Sequence, residues 1–247
     1  MTNATSCIQS ASAASQSRPA SDRAIAPWWH TLVLIALFLL LAAGGAMFRS
    51  QAGSRADLAG ARPNLSGLYL SLTAGEWALV YYVWKLGLRR TGTTIGELIG
   101  GKWTSPRAAL LDVLFASGLW ALWKGAYFLW LTWFGTGHTV SVSRLMPQGV
   151  TESTFWVLLS ISAGISEELV FRGYFQRQFL AWTGRVSVAV LLQVMVFGLA
   201  HGYQGVQSCL AIVVYGTLFT LLAIYRKSLR PGILAHAWTD IAGGLLR

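Results

Sequence analysis

Residues 28–48 read WWHTLVLIALFLLLAAGGAMF, a run without one charged side chain. Wound as a helix at about 1.5 Å per residue, it reaches about 30 Å. That is the depth of a bilayer's hydrocarbon core, which takes about 20 apolar residues to cross. The stretch predicts a membrane span. Small residues at Gly44 and Ala46 would suit a leader peptidase, but the polar stretch before the run is long for a signal peptide, so a retained helix is expected.

Working outward, further apolar segments lie at 66–86, 108–134, 152–180, 186–201, 206–225 and 232–246. The predicted fold is all-α: a polytopic transmembrane helical bundle of about seven helices, within a range of six to eight. The 186–201 and 232–246 segments fall short of the about 20 residues a crossing needs. Their ends are expected to be buried in protein or to line a cavity, because unpaired backbone is not tolerated against lipid.

Composition points the same way. Charged residues make up 11% of the 247 and apolar residues 54%, with a mean hydropathy of +0.52. A soluble domain carries roughly 25% charge, so a soluble globule and a disordered chain are both excluded for most of the length. The net charge of +10 comes from 19 Lys and Arg against 9 Asp and Glu. The basic residues fall between apolar runs, as in the loops of membrane proteins, so no nucleic-acid partner is expected. Cys7 and Cys209 offer neither a disulfide framework nor a zinc spacing.

The chain divides into a disordered Ser/Ala-rich tail (1–26), N-terminal transmembrane helices (27–150) and a C-terminal transmembrane core (151–247). Loops are expected at 49–65 and 135–151. With seven spans and the N-terminus inside, the inner loops hold Arg18, Arg23, Arg89, Arg90, Lys102, Arg107, Arg177, Arg185, Arg226, Lys227 and Arg230. The outer side holds Arg49, Arg55, Arg62, Arg144 and Arg247, so the count is eleven against five. The asymmetry predicts an integral, multi-pass membrane protein with a cytoplasmic N-terminus, sitting in the inner membrane if the source is bacterial.

Charges at membrane depth cost roughly 2.5–3.5 kcal/mol each on insertion scales, so each needs a reason. Glu76, Asp112 and Lys124 are read as structural: Asp112 near a helix start, where a carboxylate suits the dipole, and Lys124 as a side chain that snorkels or pairs with Glu76. The other buried polar groups lie in the C-terminal core. Glu167 and Glu168 are adjacent on a helix and point about 100° apart. Glu168 and Arg172 stand at i,i+4, the spacing of a same-face ion pair. Glu167 lacks that partner, which leaves it free to take and return a proton as a general base.

Phe197 and His201 are one turn apart, as are His236 and Asp240. Glu167, His201 and His236 could hold zinc or another divalent metal with an open position. The same groups could also work without metal, with His201 positioning water or stabilising an oxyanion. At 1.5 Å per residue, Glu167 and His236 fall about 8 and about 6 Å from the inner face, whereas His201 falls about 21 Å from it. No HExxH or GxSxG occurs, and no pair of intramembrane Asp suits an aspartyl dyad.

EELVFR (167–172), FGLAH (197–201) and HAWTD (236–240), in that order, resemble the CPBP family of type II CAAX prenyl endopeptidases and bacteriocin-processing proteins, whose motifs are EExxxR, FxxxH and HxxxN or HxxxD. The resemblance covers about 155–246, which makes 151–247 a CPBP-like catalytic core. It implies an intramembrane endopeptidase acting on membrane-associated or prenylated-type protein or peptide substrates within the lipid bilayer. In that scheme Glu167 activates water, His201 assists, Glu168 and Arg172 shape the site, and His236 with residue 240 holds the oxyanion. The family's glutamate and metalloprotease mechanisms both remain open at this point. Asp240 stands where prenyl-protein-processing members have Asn, and an ionised Asp cannot donate to an oxyanion. The alternative is a non-catalytic membrane protein of the same fold, such as a bacteriocin immunity or assembly factor. A transporter is a third class, but it would show repeated halves with broken helices.

Overall fold

The computed structural model describes residues 23–55, 64–135 and 145–246. The expected tail, up to residue 22, lies outside them. The helices, in chain order, are α1 (Trp28–Arg55), α2 (Ser66–Tyr82), α3 (Arg89–Thr91), α4 (Ile95–Ile99), α5 (Pro106–Phe134), α6 (Gly149–Glu167), α7 (Gln176–Thr183), α8 (Val186–Ala200), α9 (Val206–Arg226) and α10 (Arg230–Leu245). No strand occurs among the described residues. The chain is an all-α bundle. A π-helical segment, Val83–Leu88, joins α2 to α3, and a second, Glu168–Phe175, joins α6 to α7. The rod from Gly149 to Thr183 is therefore continuous.

Trp28–Gly45, Pro106–Phe134, Gly149–Thr183 and Val206–Arg226 are long and apolar enough to cross a membrane. Their outward faces carry Leu40, Phe128, Trp133 and Leu221, all exposed. Large apolar side chains repeated over whole helix faces would make a soluble protein aggregate, but facing lipid they are in their own solvent. The chain is a multi-pass membrane protein.

Several boundaries differ from expectation. The loop foreseen from residue 49 begins later, because α1 runs on to Arg55; Gln, Ala and Arg are good helix formers and carry the turn beyond the apolar run. Helix α6 begins at Gly149 rather than 152, because the Glu152 carboxylate caps the turn before it. Glu152 Oε2 accepts from Gln148 N–H at 2.8 Å, and Oε1 accepts from Leu65 N–H at 2.9 Å. One side chain thus sets the starts of both α6 and α2.

The last residues of the expected disordered tail are ordered. Gln178 Oε1 accepts from the N–H groups of Ile25 and Ala26 at 2.9 and 3.2 Å, and Gln178 Nε2 donates to Ala26 O at 2.8 Å. Both residues are buried. A fully satisfied amide in a dry setting holds this segment against α7.

Helix–helix contact in a membrane gains little from the hydrophobic effect, because lipid tails are as apolar as leucine; close packing and hydrogen bonds decide it. The centre here is aromatic. Phe171, Tyr174 and Phe175 on the π segment, Phe197 on α8 and Phe219 on α9 are all buried, with Phe171 edge-on to Phe197 at 4.8 Å. Helix α1 is pinned to this core by polar contacts: the Tyr174 hydroxyl lies 2.7 Å from both His30 Nδ1 and Thr31 Oγ1.

Asp112 is structural, but not through a helix dipole. Its Oδ1 lies 2.8 Å from Arg226 NH2, its Oδ2 lies 3.4 Å from Arg230 NH1, and Trp103 Nε1 donates to Oδ2 at 2.8 Å. This knot ties α5 to the turn between α9 and α10. Gly100 completes the turn: at φ 95° it adopts a conformation few other residues take, and a Cβ there would run into the Lys227 carbonyl. The expected Lys124–Glu76 pair does not form. The Lys124 ammonium instead sits 5.8 Å from the Trp120 ring centre, on its own helix face, as a cation–π partner.

Candidate active site

The rod α6–π–α7 carries Glu167 and Glu168, and α10 carries His236 and Asp240. Their meeting depends on close approach of α6 to α10. Gly164, one turn before Glu168, faces the backbone of α10: a Cβ there would lie 3.0 Å from both Ala237 N and Ile233 O. Without a side chain at 164 the helices come close enough for short carboxylates to reach the imidazole.

Glu168 changes the helix as well as the charge. The π winding begins at this residue, and such segments are rare and recur at functional sites. The expected pair is present: Arg172 NH1 lies 3.0 Å from Glu168 Oε1, with both side chains fully buried. The approach is too angled for a hydrogen bond, so the pair is electrostatic. The guanidinium also lies 4.2 Å from the Phe197 ring centre. Gly216 leaves room for this, since a Cβ there would meet Phe197 at 2.9 Å and Arg172 NH2 at 3.3 Å.

The same Glu168 oxygen accepts from His236 Nδ1 at 3.1 Å. A carboxylate on Nδ1–H fixes the ring's orientation and leaves Nε2 as the working nitrogen. Nε2 faces Glu167 Oε2 at 3.7 Å and Asp240 Oδ2 at 3.6 Å. The Tyr215 and Phe219 rings stand edge-on to the imidazole at 5.4 and 5.9 Å. Glu168 and His236 are almost wholly enclosed, whereas the Glu167 side chain is 24% exposed and that of Asp240 35%. Two carboxylates therefore line the open side of an imidazole held from behind. Glu167 Oε2 accepts no hydrogen bond from the described residues.

Of the six residues singled out, five form one cluster: Glu167, Glu168, Arg172, His236 and Asp240. His201 does not join it by an ion pair. It follows the last residue of α8, and its Nδ1 lies 2.9 Å from Phe197 O. A carbonyl only accepts, so Nδ1 carries the hydrogen and Nε2 is the free acceptor. His201 belongs to the same aromatic wall through Phe197, 4.9 Å away centre to centre.

A zinc cage from Glu167, His201 and His236 does not assemble. Among the described residues no three His, Cys, Asp or Glu side chains converge as metal ligands. Each ring keeps its Nε2 available, its other nitrogen being held as in many metal-ligating histidines, but the two rings do not converge with Glu167. The donor set does not fit the metal, and the metalloprotease expectation is not supported.

One buried-helix carboxyl outside the motifs touches the helix that carries Glu167: Glu76 on α2 accepts from Ser162 Oγ at 2.5 Å. The sequence offered a single signal for it, a carboxyl in the middle of an apolar helix.

Residues 149–242 match the family model described as Type II CAAX prenyl endopeptidase Rce1-like. No curated protein and no solved structure matches the chain. The matched segment runs from the first residue of α6 to two residues past Asp240, and so holds all three motifs. This match agrees with the resemblance to the CPBP family of type II CAAX prenyl endopeptidases that the three motifs carry.

Proposed function

We propose that the protein is an intramembrane endopeptidase that hydrolyses a peptide bond of a membrane-associated substrate by carboxylate-activated water, with residues 151–247 as the catalytic core and residues 27–150 as the helices around it. The observation that carries this reading is the single imidazole of His236 gripped by Glu168 at Nδ1 and faced by Glu167 at Nε2, at 3.1 and 3.7 Å. A buried carboxylate that holds and a partly exposed one that faces the opening are a division of labour that a structural salt bridge does not need.

Glu167 takes a proton from water. The hydroxide oxygen bonds to the scissile carbonyl carbon, whose oxygen becomes the oxyanion. His201, with its hydrogen on Nδ1, orients the water through Nε2. The Nε2–H of protonated His236 faces the oxyanion, and such preorganised donors are the largest single term in many acyl transfers. Asp240, 3.6 Å from Nε2, orients and balances the imidazolium and does not donate. The C–N bond then breaks, and the amine leaves with the proton that Glu167 removed. The Lys and Arg asymmetry puts the N-terminus in the cytoplasm.

The test is cleavage of a quenched peptide panel, including prenylated peptides, by purified protein in lipid nanodiscs. Cleavage by the wild type that Glu167→Gln lacks supports the reading. A panel left intact by the wild type and by membranes carrying it favours a non-catalytic member of the same fold.

A further inference from the structure

The start of α1 and the segment that follows α2 meet in a basic and aromatic cluster outside the matched residues 149–242. Arg89 and Arg90 follow the π segment Val83–Leu88 and are exposed. The Arg89 guanidinium carbon lies 5.2 Å from the Trp84 ring centre, and that of Arg90 lies 5.5 Å from the ring centre of Trp29 on α1. Lys85, one turn before Arg89, is exposed as well. The two helix ends are tied together, because Thr91 Oγ1 donates to Ile25 O at 2.8 Å.

Among the described residues no carboxylate lies within ion-pair distance of Lys85, Arg89 or Arg90. Neighbouring cations at this end of the bundle are engaged: Arg226 and Arg230 share Asp112, and Arg177 donates to Glu97 O at 2.6 Å. A guanidinium stacked over an indole uses its face, which leaves the N–H groups in its plane free to grip a phosphate at two oxygens. Polarity falls away from the cations. Trp84 stands 5.8 Å from Tyr81, whose ring is exposed. On α1, Leu32 and Val33 follow Trp29 and are exposed too. Cations at the surface, indoles beside them and apolar side chains deeper follow the layers of a phospholipid, from phosphate through glycerol to acyl chain.

We propose that Lys85, Arg89 and Arg90, with the Trp29 and Trp84 indoles, bind the headgroup of an anionic phospholipid of the surrounding bilayer. Three cations without a carboxylate select a headgroup of net negative charge, since the ammonium of a zwitterionic lipid meets them with repulsion. The occupant joins two helices, because Arg90 and Trp29 come from different ones. It also acts on the rod that carries the candidate active site: His30, beside Trp29, lies 2.7 Å from the Tyr174 hydroxyl of the π segment. A bound headgroup therefore holds the start of α1 against that rod. The inference does not depend on the hydrolytic reading, and its test reads binding and stability.

The experiment titrates the purified full chain in neutral detergent with phosphatidylglycerol, with phosphatidylcholine of the same acyl chains, and with inorganic phosphate. The melting midpoint is followed, and retained lipids are counted by native mass spectrometry. A ligand that binds only the folded state raises the midpoint by mass action. Phosphatidylglycerol is expected to raise it and to stay bound, and the other two are not. The double variant Arg89→Gln/Arg90→Gln is expected to weaken phosphatidylglycerol binding about 25-fold, about fivefold for each cation near a charged surface. Arg89→Lys/Arg90→Lys keeps the charge without the planar fork and falls between it and the wild type. Lys102→Gln/Arg107→Gln removes the same charge from exposed positions outside the cluster and is expected to bind as the wild type does. If Arg89→Gln/Arg90→Gln does not fold, Arg90→Gln alone decides, with about a fivefold loss expected. Wild-type binding in the Gln variants overturns the inference. So does an equal loss in Lys102→Gln/Arg107→Gln, which would make the attraction general to this end of the protein. Equal stabilisation by phosphatidylcholine or by inorganic phosphate overturns it too, the latter by making the cluster a site for a free anion.

Discussion

Glu168 Oε1 lies 3.1 Å from His236 Nδ1, although 68 residues separate the two in the chain. The same oxygen lies 3.0 Å from Arg172 NH1. One carboxylate oxygen thus anchors both the guanidinium below it and the imidazole beside it, and the other site groups are arranged around that anchor.

The anchor makes Arg172 a residue of stability. Removing one partner of a buried ion pair costs about 3–5 kcal/mol, because the other charge is left uncompensated. Arg172→Ala is expected to lower folded yield and the melting midpoint well below those of Glu167→Gln. Size-exclusion yield and thermal unfolding in detergent check this, and equal values for the two variants contradict it.

Gly164 sets the distance between α6 and α10. Its missing Cβ would stand 3.0 Å from two backbone atoms that cannot rotate away. Gly164→Ala is expected to cost about 1–3 kcal/mol, in the range of overpacked interiors, and to lower turnover by separating Glu167 from His236. A Gly164→Ala protein with wild-type stability and rate counts against the close approach.

Metal removal separates the two chemistries left open by the motifs. Because Glu167, His201 and His236 do not converge, pre-treatment with a strong chelator such as 1,10-phenanthroline is expected to leave peptide cleavage unchanged. Loss of activity that added zinc restores would show that the ligands gather in a way this geometry does not provide.

Orientation has its own test. Single cysteines at Arg90 and Arg55, in a background lacking Cys7 and Cys209, are expected to react with a membrane-impermeant maleimide from the cytoplasmic side and the outer side respectively. Labelling of the Arg90 position from outside reverses the topology.

Much of the frame was legible in the sequence, because span length and local spacing are one-dimensional signals. Both short helices, 186–200 and 230–245, lie where the apolar runs placed them. The Glu168–Arg172 pair followed from i,i+4 spacing, and a π segment keeps residues four apart near one another. Long-range pairings were not legible. Glu76 was assigned to Lys124 because both are buried charges, yet its partner is Ser162, whose hydroxyl carries no hydropathy signal. Ile25 and Ala26 looked like tail because nothing nearby marks Gln178 as their partner.

The most direct measurement is the turnover of Glu167→Gln in nanodiscs on a peptide that the wild type cleaves, with unfolding followed in parallel. Gln preserves volume and hydrogen-bonding capacity and removes only proton acceptance. General-base catalysis is worth about 10²–10⁴-fold, so kcat is expected to fall by at least the lower figure while the melting midpoint stays at the wild-type value. A folded Glu167→Gln protein that cleaves at the wild-type rate would contradict the assignment of Glu167 as the base and, with it, the hydrolytic site described here.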